Sequence, residues 1–193
     1  MKMRNLMVGG LALAFALGTS TMAVAVQGKK GALEAIDKLA KKAKDASFAD
    51  DCKAAAGSLE LDPVMHSFKP RARGGFGIGP KAGLVPANQD GIEAYLPALS
   101  KKGMSAADAG KMSEPVIEMA NRVLAIAEVS DHLWPENKES AKSKKKWLEL
   151  NQLMKDGSKE LAEAVSSKNF AAVKKAAGKL NTSCSECHSV FRD

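Results

Sequence analysis

Near the end of this 193-residue chain two cysteines and a histidine stand together in Cys184-Ser185-Glu186-Cys187-His188. Two thiols three residues apart, with an imidazole beside the second, are what covalent attachment of a haem requires. The thiols add to the two vinyl groups, and the imidazole reaches the iron from the same side. On a helix Cys184 and Cys187 share a face and His188 follows Cys184 by four residues, so all three can point at one plate-like ligand. Other chemistries fit these residues less well. A zinc site needs a fourth ligand, which only the distant Cys52, His66 or His132 could supply. A thioredoxin-type Cys-x-x-Cys opens a helix in a strand–helix–strand setting, whereas this one closes a helix in a chain without strand patterns. Cys52 is left over, as a buried small hydrophobe or as a bridge to another chain.

The element that must carry the motif is legible. Phe170, Val173, Ala177, Leu180, Cys184, Cys187 and Phe191 alternate steps of three and four, which predicts one helix with one buried face. Trp147, Leu150, Met154, Leu161 and Val165 mark a second long helix, separated from the last by the Ser166-Ser167-Lys168-Asn169 turn, and so short a connection makes antiparallel neighbours. A third carries Val116, Met119, Val123 and Ile126, flanked by Ile117, Ala120, Leu124 and Ala127, and should stop near Trp134-Pro135. A shorter segment from Gly91 to about Lys101 leads into it. Upstream, Leu33, Ile36, Ala40 and Ala43 define a helix, Ala49 to Leu59 continue after a break, and Asp62-Pro63 opens a fresh one. Between Phe68 and Gln89 lies a long Gly/Pro-rich connection with Arg71 and Arg73, which reads as a functional loop. Its glycines match neither a dinucleotide nor a P-loop spacing. No run of alternating β-branched residues appears, so the class is all-α.

The first residues read as an address. Lys2 and Arg4 precede an apolar run from Leu6 to Leu17, too short to span a bilayer comfortably, and Ala23-Val24-Ala25 offers a cleavage point. Residues 1–25 are therefore expected to be a secretory signal peptide and 26–193 a single helical domain of about 168 residues, with no stable membrane insertion after removal. The formal charge falls from +7 to +5 on removal, because residues 1–25 hold Lys2 and Arg4 and no acid. Lys142, Lys144, Lys145 and Lys146 alternate with Glu136, Glu139 and Glu149, the pattern of a solvated face. With one Tyr and two Trp there is little to stack on bases, which argues against nucleic-acid binding. A mildly basic surface suits docking to an acidic redox partner.

Cys-Ser-Glu-Cys-His-Ser-Val-Phe-Arg at the end of a helical chain with a signal-like start resembles the cytochrome c-prime family and its low-spin relatives, most strongly from about Lys144 to Asp193. The resemblance implies an antiparallel four-helix bundle, one covalent haem c near one end, His188 as the proximal iron ligand, and Arg192 close to the haem edge. It also implies a homodimer through the first two helices and a first helix that presents the distal residue, an apolar blocker in five-coordinate members and a Met ligand in six-coordinate ones. Upstream of Lys144 the likeness is architectural, and the Phe68–Gln89 linker is longer than the family suggests. Val64-Met65-His66-Ser67-Phe68, just before that linker, offers two iron ligands together. Met65 is the preferred sixth ligand, since a thioether opposite His is a normal axial partner in electron carriers. His66 and an open or blocked face are the alternatives. Arg71 and Arg73 are candidates to pair with haem propionates, or are solvated loop arginines.

The chemistry expected is one-electron transfer in the periplasm between redox partner proteins, with no substrate and no enzymatic step. The rival is binding of a diatomic gas, nitric oxide or carbon monoxide, at an open distal face. Peroxidase-like catalysis would want a distal base that the sequence does not place.

Overall fold

The computed structural model describes residues 28–134 and 144–191, and among them every regular element is helical. The elements are α1 (Lys29–Lys41), α2 (Phe48–Ala56), α3 (Leu61–His66), α4 (Ile92–Lys102), α5 (Ala106–Ser130), α6 (Lys144–Ser166) and α7 (Phe170–Phe191). The expected signal segment lies outside the described residues. No helix among them is long and apolar enough to cross a membrane.

The motif helix α7 follows a tight turn. Lys168 takes a left-handed φ of 56°, and the Asn169 side chain accepts the Ala172 N–H at 3.2 Å, so the chain reverses and the new helix is capped at once. Val173, Ala177, Leu180, Cys187 and Phe191 are buried along one face, the seam expected from the sequence. α6 lies against this face. A Cβ at Gly157 would stand 3.1 Å from Leu180 Cα, so the absence of a side chain lets the two helices approach closely there. α5 is buried on more than one side, because α6 packs on one flank and α1 and α2 on another. This is why its apolar stripe has a second row of Ala120, Leu124 and Ala127.

α4 packs against α7, so α4 to α7 make the four-helix bundle, and α1 to α3 form an N-terminal layer over α5. Arg122 of α5 fastens that layer. Its guanidinium hydrogen-bonds Asp37 of α1 at 2.6 and 3.0 Å and Glu118 at 2.6 Å, and lies 4.4 Å from the centre of the Phe76 ring. Burial pushes the Asp37 carboxyl up, but the bonds and charges of Lys41 and Arg122 outweigh it and hold it below its ordinary value.

A polar stripe on α6, with Trp147, Asn151 and Lys155 one turn apart, grips the last turn of α5. Trp147 Nε1–H donates to Ser130 O at 2.8 Å, Asn151 Nδ2 to Asp131 at 3.0 Å, and Lys155 Nζ sits 2.6 Å from Asp131 and 3.4 Å from Glu128. A buried cation at a helix C-terminus also suits the helix dipole. Burial favours the neutral amine, yet Asp131 and Glu128 prevail and keep Lys155 protonated. Cys52 of α2 is fully buried in the core, and burial followed by the Glu128 charge pushes its thiol up to about 12. The fold thus places Cys52 as an interior hydrophobe with no exposed sulfur for a bridge.

The Gly/Pro-rich connection is folded rather than open. Phe76 and Ile78 are buried, and Arg71 holds the segment from within by donating to Asp90 at 2.9 Å and to Gly79 O at 2.8 Å. Asp90 in turn accepts the Ile78 N–H at 2.7 Å. Arg71 is therefore a brace of the linker, with its Nε and Nη2 engaged by Asp90 and Gly79 O.

Candidate functional site

Cys187 is buried, Cys184 half-buried and His188 exposed, so the final turns of α7 turn both sulfurs inward with the imidazole at the border. Burial pushes the Cys184 thiol up to about 12 and the Cys187 thiol up to about 11, with the neighbouring Cys187 adding to the shift on Cys184. Both are protonated thiols near neutral pH.

They open onto space. A cavity of about 450 Å³ is bordered by Leu61, Met65, Trp147, Cys187, His188 and Phe191, among others. A neighbouring one of about 360 Å³ is bordered by Met65, Leu96, Met154, Cys184, Cys187 and His188, among others. Met65, Phe68, Glu93, Cys187 and His188 border both, so the two volumes are halves of one cleft between α3, the start of α4 and the end of α7. The lining is mainly apolar with a few polar groups, Asp62, Lys69 and Asn181 among them, as a site for a flat apolar group with a wet edge requires.

One end of the cleft is closed by an aromatic box. Trp147 meets Phe191 edge-on at 5.2 Å between ring centres, and Trp134 meets both at 5.8 Å. The box packs with Leu150 and Cys187 as a small core of its own, with Met65 against it. Both tryptophans of the chain therefore stand beside the motif.

Of the two proposed distal residues, Met65 is half-buried and borders both cavities, while His66 borders one. His66 Nε2 lies 2.7 Å from Arg73 O. A carbonyl only accepts, so that nitrogen carries a proton and is engaged with the linker. Arg73 pairs with Glu93 at 3.1 Å. Arg192, expected at the haem edge, lies outside the described residues. His132 is exposed at the end of α5, away from both cavities.

The residues present fit a haem: two thiols and an imidazole border one apolar cleft, and a thioether borders it from another helix. The family model for cytochrome c′ matches residues 85–192, more than half of the chain. The chain belongs to the cytochrome c′ family. It is accordingly a haem-binding cytochrome, and the all-helical bundle agrees. No curated protein and no solved structure matches it. The cytochrome c′ match begins inside the linker, so α1 to α3, with Met65 and His66, precede the matched region.

Sequence reasoning missed the aromatic box, Glu93 and the Arg122 clamp. The box had one signal: the only two tryptophans of an aromatic-poor chain flank a single helix–helix connection. Glu93 had none, because its partners Lys69 and Arg73 lie far along the chain, and Arg122 had only the i,i+4 spacing from Glu118, since its tie to Asp37 spans 85 residues.

Proposed function

We propose that this cytochrome binds one haem covalently through Cys184 and Cys187, with His188 as proximal ligand and Met65 as sixth ligand, and that it carries single electrons in the periplasm. The observation that carries this reading is that Cys184, Cys187, His188 and Met65 border one apolar cleft. A haem held there supplies an iron that takes up and returns one electron. The protein's part is positional. Two sulfurs fix the group, an apolar lining keeps water away, and the Trp134–Trp147–Phe191 box closes one end. A dry site with His and thioether ligands favours the reduced iron and raises the potential. The engagement of His66 Nε2 with Arg73 O supports Met65 over His66 as the sixth ligand. The Lys2/Arg4 start with its apolar run supports export, and the mild basic excess supports docking to acidic redox partners.

The test is the spin state of holoprotein matured with a haem-ligation system. Six-coordinate low-spin spectra are expected, and Met65→Ala should convert them to high-spin. A low-spin spectrum unchanged by Met65→Ala removes Met65 as ligand. High-spin wild-type spectra with rapid nitric oxide uptake would replace electron transfer by gas binding at an open face.

A further inference from the structure

Glu93, at the start of α4, sits where the N-terminal layer meets the matched bundle, and everything around it ties α3 and the linker down. Its backbone N–H donates to Phe68 O at 3.0 Å, its carboxylate takes Lys69 at 3.1 Å on one oxygen and Arg73 at 3.1 Å on the other. Arg73 O in turn holds His66, the residue next to Met65. A Cβ at Gly91 would run into Pro70, so the segments around Pro70 and Gly91 lie in direct contact. Glu93 itself borders both cavities together with Met65 and His188.

We propose that Glu93 is a positioning residue that controls small-ligand access: by latching Lys69 and Arg73 it holds Met65 and Phe68 over the cleft and limits the entry of diatomic molecules. The inference rests on the haem reading above. The latch is a pair of ion pairs at the surface rather than a packed core. Lys69 and Glu93 are each about a quarter exposed, at 27% and 28%, and Arg73 is 63% exposed, so Lys69 supplies the firmer half. Such a contact is weakened by salt and admits opening, which buried apolar packing would not.

Carbon monoxide association with the reduced holoprotein reads the latch, since the ligand is neutral and its own encounter is insensitive to salt. In the wild type its rate should rise with ionic strength. In Glu93→Gln it should start about three- to tenfold higher and no longer respond to salt, the range expected for losing two partly screened pairs. Native-state hydrogen exchange supplies a readout independent of ligand binding: the Phe76 and Glu93 amides should lose protection in Glu93→Gln by a similar factor while α6 and α7 keep theirs. Glu93→Asp, which keeps a carboxylate for Lys69 and Arg73, should hold the rate closer to the wild type than Glu93→Gln does and keep its response to salt. A haem-loaded wild type whose carbon monoxide rate ignores salt, or a Glu93→Gln protein with wild-type rate and exchange, overturns the latch. A wild type that carries no haem after maturation instead overturns the haem reading, whatever Glu93 does. The salt series on the wild type decides the matter even where the variants fail to fold.

Discussion

Trp147→Phe tests whether the aromatic box is a structural keystone of the motif end. Trp147 is 3% exposed. The change removes the indole N–H that reaches Ser130 O at 2.8 Å. That carbonyl also accepts from Leu133 N at 3.1 Å and so is not orphaned, which limits the lost bond to about 0.5–1.5 kcal/mol. The phenyl ring is smaller than the indole and sits further from its neighbours. Weakening the edge contacts to Phe191 and Trp134 and leaving a void costs about 1–2 kcal/mol more, below the roughly 3–5 kcal/mol of a full truncation. The total is about 1.5–3.5 kcal/mol, or a fall in melting temperature of about 3–14 °C for a chain of this size. Guanidinium unfolding of the holoprotein, followed by far-ultraviolet circular dichroism, measures it. Trp134 is then the only tryptophan left, and its emission, quenched by a haem held beside the intact box, should gain intensity as the box loosens. A loss under about 0.5 kcal/mol with unchanged Trp134 emission would refute the reasoning, since it would mean that neither the bond nor the ring edges are under load.

Two further outcomes follow from named contacts. Asp37 has its folded pKa held below the ordinary 3.8, so its stabilisation is present above about pH 4 and is lost as the pH falls through the folded value. Asp37→Asn should therefore be less stable than the wild type by about 1–2 kcal/mol at neutral pH, and the gap should close below pH 4; a gap independent of pH in urea unfolding would show that the Arg122 clamp is not ionic. Replacing Cys184 and Cys187 together by Ala should abolish haem staining on a denaturing gel, and a stained band of full-length protein would remove both cysteines from the attachment.

The helices that carry the motif were legible because their signals are local. The three-and-four spacing from Phe170 to Phe191 needs no knowledge of partners, and the short Ser167-to-Asn169 connection already implies that α6 returns beside α7. The same logic placed the end of α5 a few residues late, since Trp134-Pro135 marks where a helix cannot continue and Ser130 is where this one stops. It also missed the first turns of α5, where Ala106 to Lys111 are mostly exposed and leave no apolar period. The linker shows only loop signals in sequence because its order is non-local: Arg71 and Asp90 stand 19 residues apart, and Asp90 also takes the N–H of the buried Ile78. Met65 stands out in sequence as a thioether beside a histidine, and its place in the cleft depends on α3 folding back against α1 and α5.

That dependence bears on how this member differs from what its family match covers. The attachment helix, its partner α6 and the long α5 all fall within residues 85–192, while the side chain proposed to meet the iron from the other side comes from before that region. On the proposed reading, attachment and distal control would fall to different parts of the chain, which share one apolar core where α1 to α3 pack on α5 and are tied further by polar contacts at Arg122, Asp90 and Glu93. Substitutions of cleft-facing side chains such as Met65 would then alter what reaches the iron with the Cys184 and Cys187 positions intact, whereas substitutions along the Phe170–Phe191 seam would disturb both. Electron transfer and gas binding would in that case be alternatives set by the residue that α3 presents to the cleft. The loss of low-spin character in Met65→Ala, with haem still covalently bound, is the result that would display this division.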